Sequence, residues 1–220
     1  MHIDFDIVAQ ALPMLAKGLK LTATLSAIGL PLGIAAGTAA AYMADSRSRW
    51  LRALALGYVE LVRNIPFLIL VYLAFFGLPK IGLLISAFTI GTWTMAFYTG
   101  GYFCEILRAA FRSVPRGQVR AALSLGMSDW QVQRSIVVPQ ILGFLMPPLT
   151  SLAIMMFKDT AVFSVMSLPE LTYQSNLMTA DTFAYLEVLG LTALIYWGSS
   201  IVIDVCGQLL ELRVQRWRRR

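Results

Sequence analysis

The chain has 220 residues, of which 58% are hydrophobic and 14% are charged, and its mean hydropathy is +0.69. Soluble domains carry about 25% charged residues, so this composition favours an integral membrane protein and disfavours a soluble enzyme. The formal net charge of +6 would suit nucleic acid, but the arginines fall in clusters between long apolar runs. We therefore predict that they orient the chain in a bilayer, and we expect no nucleic-acid partner.

Five apolar runs are candidates for the roughly 20 residues that a helix needs to cross the hydrocarbon core. The predicted transmembrane helices lie at about 19–43, 53–78, 84–111, 141–162 and 183–210. They describe an all-α integral membrane protein with a single transmembrane domain over residues 1–220. The arginine clusters at 47–63, 108–134 and 213–220 are cytoplasmic by the positive-inside rule, which places the N-terminus outside and the C-terminus in the cytoplasm. The basic tail RVQRWRRR is then expected to contact lipid headgroups.

The second predicted span carries charged and polar residues near its start. Glu60 and Arg63 are three residues apart and share one helix face. A charge at the bilayer centre costs at least about 2.5 kcal/mol, so the two either form a local ion pair near the cytoplasmic interface or line a transport path. Asn64 and Pro66 follow, and the missing N–H of Pro66 predicts a distorted helix where polar groups could meet a substrate.

Polar residues recur on one face of the third span. Tyr102, Glu105 and Arg108 lie at spacings of three, which puts them on the same side of a helix. This pattern indicates either structural pairing or a pathway.

The end of the fourth span and the polar segment after it hold three more charges. Lys158 and Asp159 close the span, a position typical of a snorkelling cation with its counter-charge. Glu170 lies in the outer segment 165–181. It is either a structural joint or part of the lining near the outer mouth of a cavity.

Segment 116–140 is charged and helix-prone, and the arginines around it place it in the cytoplasm. Good helix formers occupy 119–125, Gly126 stops that helix, Ser128 caps a second one, and Pro139 precedes the next rise. The two short helices either lie on the lipid surface or dock onto a protein. Their small apolar content favours the protein partner.

The sequence lacks the residues for catalysis or nucleotide binding of its own. His2 is the only histidine, so a histidine-dependent triad or a multi-histidine metal site cannot be built. No G-x-x-x-x-G-K-[ST] motif occurs, so no P-loop holds nucleotide phosphates. We predict no catalytic residue, no metal and no cofactor on this chain, and any energy from ATP must come from another subunit.

Segment 116–140 resembles the EAA loop of ATP-binding-cassette (ABC) importer permeases, specifically those of the polar amino acid uptake family. The matching residues stand at the family's spacings: Gly117-Gln118, Ala121-Ala122, Leu125-Gly126-Met127-Ser128 and Val138-Pro139-Gln140. The similarity extends, in the expected order, to GLKLTATLS, ELVRNIP, GYFCEILRAAFRSVPRGQ and FKDTAVFSVMSLPELT. Together these segments cover most of the chain.

The resemblance implies a type I importer permease: five helices per subunit, two permease subunits around a central path, and a multi-pass location in a bacterial inner membrane. It also implies an ATPase dimer that binds ATP and Mg, and an extracytoplasmic binding protein that delivers a polar or charged amino acid. The loop would seat in the ATPase and drive alternating access. The coupling residues are then Gly117, Arg120, Ala121, Ala122, Leu125, Gly126, Ser128 and Pro139. The substrate-path residues are Glu60, Arg63, Asn64, Pro66, Tyr102, Glu105, Lys158, Asp159 and Glu170.

Two positions depart from the family pattern. Arg120 replaces the usual glutamate at the head of the loop, in a first turn where the helix dipole favours an anion, so we expect a complementary acid on the partner. Leu70 replaces a frequent glutamine, so this subunit would contribute less to substrate binding than its partner. Both favour a heterodimer over a homodimer. The alternative functions are a secondary transporter or channel that acts without an ATPase, and a membrane anchor with no transport role.

Overall fold

The computed structural model describes residues 5–218, and the side chains of residues 6–214, as a helical protein. The helices are α1 (Phe5–Ala44), α2 (Arg49–Asn64), α3 (Phe67–Gly77), α4 (Ala87–Arg112), α5 (Arg116–Ser124), α6 (Asp129–Val132), α7 (Val138–Asp159), α8 (Leu171–Thr182) and α9 (Tyr185–Arg218). Short 3-10 segments follow α3 and α7 at Leu78–Ile81 and Thr160–Met166, and a π-helical segment, Gln133–Val137, joins α6 to α7. The arginines of the basic tail beyond Arg213 lie outside the described side chains.

Helix α1 is longer than the first predicted span, because it begins at Phe5 rather than near residue 19. Its 40 residues measure about 60 Å, roughly twice the thickness of the hydrocarbon core. The additional turns are helical because they have something to pack on: Ala11 and Leu15 are fully buried in a cluster with Leu171 and Val188. Sequence hydropathy alone does not show that contact.

The core of the molecule is the pairing of α1 with α4, and glycines allow it. A Cβ on Gly37 of α1 would lie 2.5 Å from the carbonyl oxygen of Gly100 on α4, a distance that no side chain tolerates. The two backbones therefore touch, as small residues permit in membrane helices. Next to this contact, Tyr58 of α2 donates a hydrogen bond of 2.5 Å to the carbonyl of Phe97 on α4. Helix α4 is thus in contact with both α1 and α2.

Three helical segments in the described residues are long and apolar enough to cross a bilayer: Asp6–Ala44, Asp129–Met166 and Tyr185–Val214. The pair Arg49–Asn64 and Phe67–Ile81 would make a fourth if its two bent parts act as one span. These segments make the chain a multi-pass membrane protein. The predicted count of five crossings and the orientation of the termini stay predictions.

Helices α7 and α9 pack side by side in opposite directions, and α8 packs against the start of α9. Phe157 of α7 meets Tyr196 of α9 at a ring-centroid distance of 6.1 Å. Further along, the position of a Cβ on Gly207 is occupied by the side chain of Thr150, so the two helices are in close contact there. Thr192 of α9 donates a hydrogen bond of 2.9 Å to Ser175 of α8. These contacts fix the relative heights of the residues on α7 and α9.

Candidate functional site

The turn between α5 and α6 has the geometry that its sequence predicts. Gly126 follows the end of α5 with φ of +83°, a left-handed conformation that favours glycine. Ser128 then caps α6: its hydroxyl accepts a hydrogen bond from the Gln131 N–H at 3.3 Å, and its own N–H donates to Gln131 Oε1 at 2.8 Å. This reciprocal pair is a capping box. The predicted stop at Gly126 and cap at Ser128 are confirmed.

The loop is anchored to the membrane-spanning part by a few inward-facing residues. Ala122 and Val132 are buried, with 3% and 2% of their surface exposed. The Gln140 side chain, one turn into α7, donates a hydrogen bond of 2.7 Å to Gln118 Oε1 on α5. A force on the loop would therefore reach α7 directly.

The opposite face of the loop is open and carries large apolar side chains. Leu125 is 84% exposed and Trp130 is 71% exposed, and such a surface marks an interaction site when residues of this kind cluster. Arg120 is exposed on the same loop, and its side chain makes no hydrogen bond or ion pair with the described residues. A Cβ on Gly117 would meet nothing within 4 Å, so this glycine is not required by packing within the chain. Trp130 was not among the predicted coupling residues, although its place in a charged loop was a usable signal.

The two predicted short helices are present on either side of Gly126, but the second one continues into the next span instead of ending before it. The chain is helical without interruption from Asp129 through α7 to Met166. The π-helical segment makes this possible: the N–H of Val138 donates to Gln133, five residues back. Pro139 offers no N–H for the usual bonding pattern, and a locally wider helix accommodates it. Loop and span thus form one continuous rod.

The second predicted span is broken at Pro66. The axes of α2 and the helical segment after Pro66 differ by 105°. Ile65 is extended, with φ of −103° and ψ of 129°, as expected for the residue before a proline. The side chain of Asn64 folds back to donate a hydrogen bond of 2.7 Å to the carbonyl of Glu60. The predicted distortion is confirmed, and it is a full break.

Two of the predicted pathway charges, Arg63 and Glu105, meet Arg108 where α2 and α4 face each other. Arg63 approaches Glu105 with an N–O distance of 3.8 Å, and Arg108 is hydrogen-bonded and ion-paired to the same carboxylate. The local ion-pair alternative for Glu60 and Arg63 is therefore wrong, because Arg63 faces α4 and Glu60 stays exposed. The Arg108 Nε is buried without a partner among the described residues.

Tyrosines continue this polar stripe along α4. The hydroxyls of Tyr98 and Tyr102 are 3.3 Å apart, and the ring of Tyr98 packs on Phe67, the first residue after the break at Pro66. Tyr98 is also close enough to Asp159 to interact electrostatically. The structure thus brings the helix break, the α4 stripe and the C-terminal end of α7 together. Lys158 is exposed and interacts electrostatically with Asp159 at the edge of this group.

Glu170 is separate from the stripe and is fully buried. Its carboxylate caps α8, accepting hydrogen bonds from the N–H groups of Tyr173 at 2.7 Å and Thr172 at 2.9 Å. The Tyr196 hydroxyl of α9 donates a third bond at 3.3 Å, and Thr22 of α1 accepts from the neighbouring Leu171 N–H at 3.2 Å. Burial raises the pKa of Glu170, and these donors oppose the rise. The contacts favour the joint over the cavity lining.

Asp204 is an additional charge, and it lies within the last predicted span at about 183–210. On α9 it lies between Tyr196, which meets Phe157, and Gly207, which meets Thr150. It is therefore level with the part of α7 between Thr150 and Phe157, inside the candidate span Asp129–Met166, where charges are costly. The half-buried carboxylate accepts a hydrogen bond of 2.9 Å from Gln208. Only the pairing of α7 with α9 reveals this depth.

Comparison with known proteins gives consistent relatives. Residues 29–216 match the family described as the binding-protein-dependent transport system inner membrane component. The glutamine transport system permease protein GlnP of Escherichia coli (strain K12) is 32% identical over 218 residues, which covers 98% of this chain and 99% of that protein. The probable amino-acid ABC transporter permease protein YckA of Bacillus subtilis (strain 168) is 31% identical over 202 residues, 92% of this chain and 89% of the relative.

Solved structures agree with these sequences. A chain from the crystal structure of an amino acid ABC transporter with histidines superposes with a TM-score of 0.90 at 31% identity, covering 97% of this chain and 100% of that one. A chain of the inward-facing MetNI methionine ABC transporter has a TM-score of 0.67 at 17% identity, with 96% and 99% covered. The second likeness shows the fold alone.

Proposed function

Because the chain belongs to the family of inner membrane components of binding-protein-dependent transport systems, we propose that it is the permease subunit of an ATP-driven amino acid importer. The proposal rests mainly on the α5–α6 loop. One side of this loop is fixed to α7, and the opposite side is exposed. A docking site for an ATPase must be both attached to the membrane-spanning helices and accessible from outside the chain. The relatives that are permeases for glutamine or other amino acids support the substrate class.

The loop is proposed to dock into an ATPase dimer that binds ATP and Mg. Leu125 and Trp130 supply exposed apolar area, and Arg120 offers a free guanidinium for an acid on the ATPase. Gly117 leaves room for close backbone approach. Because α6 continues into α7, closure of the ATPase would tilt a rigid rod and switch the path between inward-open and outward-open states.

The translocation path is proposed to run along the stripe on α4. It starts near Asp159 and Tyr98 on the outer side, passes Tyr102, and reaches the cluster of Glu105 with its two arginines. An amino acid carries both an ammonium and a carboxylate group, and the stripe offers a carboxylate and guanidinium groups at successive depths. Five crossings, an outer N-terminus and a cytoplasmic C-terminus complete this arrangement in a bacterial inner membrane.

A second permease chain is proposed to close the path on its open side. Leu70, where the family often has glutamine, lines an apolar cavity of about 360 Å³ with Trp93 and Phe97. This cavity offers a substrate little polar contact. Together with Arg120, it favours a heterodimer in which the partner supplies more of the binding groups, while a binding protein delivers the amino acid from outside.

Co-purification tests the coupling role. A tagged chain, coexpressed with candidate ATPases and permease partners, should retain an ATPase through detergent extraction, and Arg120→Glu should reduce that retention. An exposed arginine outside the loop provides the control, as Arg47→Glu makes the same charge change. The coupling proposal is contradicted if no ATPase is retained, or if both variants behave alike. A chain that supports amino acid flux without any ATPase would instead be a secondary transporter or channel.

A further inference from the structure

A groove at the cytoplasmic end of α7 and α9 combines two arginines with an apolar wall. The cavity has a volume of about 360 Å³. Its lining consists of Arg134, Val138, Pro139, Leu142, Arg213 and Val214. Among the side chains that the structure describes, no acidic one lines it. The groove is thus cationic at its edge and hydrocarbon-like along its length.

Neither arginine of the groove is used by the fold. Arg134 and Arg213 are both exposed, and neither makes a hydrogen bond or an ion pair with any residue that the structure describes. The arginines of the α4 stripe differ, because Arg63 and Arg108 share the carboxylate of Glu105. Two guanidinium groups without an acid at one cavity indicate an anion from outside the chain.

The groove lies at the depth of a lipid headgroup. Thr150 and Gly207 meet near the middle of α7, which runs from Val138 to Asp159. Leu142 is eight residues and Val138 is twelve residues before Thr150, so they lie about 12 and 18 Å toward the cytoplasm at 1.5 Å per residue. Half of the hydrocarbon core is about 15 Å. The cavity therefore straddles the boundary between acyl chains and headgroups.

We infer that this groove binds an anionic phospholipid of the cytoplasmic leaflet. The phosphate lies between Arg134 and Arg213, whose planar guanidinium groups suit phosphate oxygens, and an acyl chain packs along Val138, Leu142 and Val214. Basic pockets between membrane helices on the cytoplasmic side are known to hold anionic headgroups. This site is separate from the transport path. It adjoins the coupling segment 116–140, to which Arg134, Val138 and Pro139 belong, and lipid binding there does not depend on the proposed function.

The bound lipid would connect the start of α7 to the end of α9. Arg134 belongs to the π-helical segment that links the loop to α7, whereas Arg213 is on the final turns of α9. A phosphate shared by the two would resist their separation. The lipid composition of the membrane would then influence how freely α7 follows the loop.

Lipid retention by the purified full-length chain, with whatever subunits accompany it, tests this inference. The probes are dioleoylphosphatidylglycerol and dioleoylphosphatidylcholine, which share acyl chains and differ in headgroup charge. Native mass spectrometry then measures how much of each stays bound. Arg134→Gln with Arg213→Gln removes both guanidinium groups, and Arg47→Gln with Arg49→Gln removes two equally exposed arginines outside the groove as the matched control. Leu142→Trp fills the groove without changing its charge.

Each cation near an anionic lipid surface contributes roughly fivefold in affinity, so the groove double variant should retain phosphatidylglycerol about 30-fold less well. Leu142→Trp should also release it, whereas the control variant and phosphatidylcholine binding should stay near wild type. Equal losses in the groove and control variants would overturn the site, because the attraction would then be diffuse. Equal retention of the two lipids by the wild type would also overturn the site, as would unchanged retention in both groove variants. The site would likewise be overturned if the groove variants lost a co-purifying protein but kept the lipid.

Discussion

Replacing Glu170 with alanine removes a buried carboxylate that joins three helices. Two backbone N–H groups, those of Thr172 and Tyr173, lose a charged acceptor inside the protein, and Tyr196 loses a weaker one. Hydrogen bonds to charged groups contribute about 1.5–3 kcal/mol each, so the low end for the two backbone bonds gives a loss of about 3 kcal/mol. For a chain of 220 residues this corresponds to a fall of about 6–12 °C in Tm.

A thiol-reactive fluorescent dye measures this unfolding conveniently, because Cys104 is buried and becomes reactive only when the helices separate. Cys206 is exposed, so the experiment uses a Cys206→Ser background. Asp181→Asn is the matched control, as it alters an exposed acid on the same helix and should leave Tm nearly unchanged. A Glu170→Ala variant as stable as this control would refute the assignment of Glu170 as the joint of α1, α8 and α9.

The same joint has a pH signature with a defined sign. Burial raises the pKa of Glu170 above its ordinary value, so the folded chain binds the proton more tightly than the unfolded chain. Stability from this group therefore increases as pH falls through the folded pKa, and the gain is complete below the ordinary carboxyl pKa of about 4.3. Relative to Glu170→Gln, which cannot titrate, the wild type should gain Tm over that window. A relative loss on acidification would show that the hydrogen bonds outweigh the burial.

Three further substitutions test the loop, the charge cluster and the charge on α9. Gly126→Leu places a branched side chain at a left-handed φ of +83° at a cost of about 1–2 kcal/mol, so ATPase co-purification should fall. Gly126→Asn should preserve co-purification, because asparagine tolerates this conformation. Equal co-purification of the two variants would contradict a coupling role for the turn at Gly126. Glu105→Gln leaves Arg108, whose side chain is 13% exposed, without its acid, so the free energy of unfolding should fall by about 2 kcal/mol. Arg63→Gln changes a side chain that is 53% exposed and should alter the free energy of unfolding by less than about 1 kcal/mol. Thermal unfolding that ranks the two variants in the opposite order contradicts the charge cluster. Asp204→Asn keeps an acceptor for Gln208 and removes a charge level with the middle of α7, so Tm should rise by the equivalent of about 1–2 kcal/mol, and a fall would mean that the carboxylate has a stabilising partner.

Features that depend on a few consecutive residues could be predicted from the sequence. The turn at Gly126, the cap at Ser128 and the break at Pro66 follow from backbone preferences that neighbouring residues do not override. The pairing of Glu105 with Arg108 was also visible, because three residues along a helix is a contact distance. These are local properties, and the fold retains them.

Features that depend on which helices are neighbours could not be predicted in the same way. Arg63 has an acid three residues away at Glu60 but pairs with Glu105 on α4, because the α2–α4 contact decides its direction. The sequence left Glu170 as either a structural joint or part of a cavity lining, and only its burial against α1 and α9 favours the joint. The depth of Asp204 likewise follows from α7 packing against α9, which no pattern within α9 contains.

Uptake of a radiolabelled amino acid into proteoliposomes tests the central claim most directly. The vesicles contain this chain with its partner permease and ATPase, the binding protein is added outside, and ATP is enclosed or omitted. The account predicts uptake only with enclosed ATP, and loss of that uptake with Gly126→Leu while the chain remains inserted. Equal uptake without ATP, or by vesicles that hold this chain alone, would contradict it.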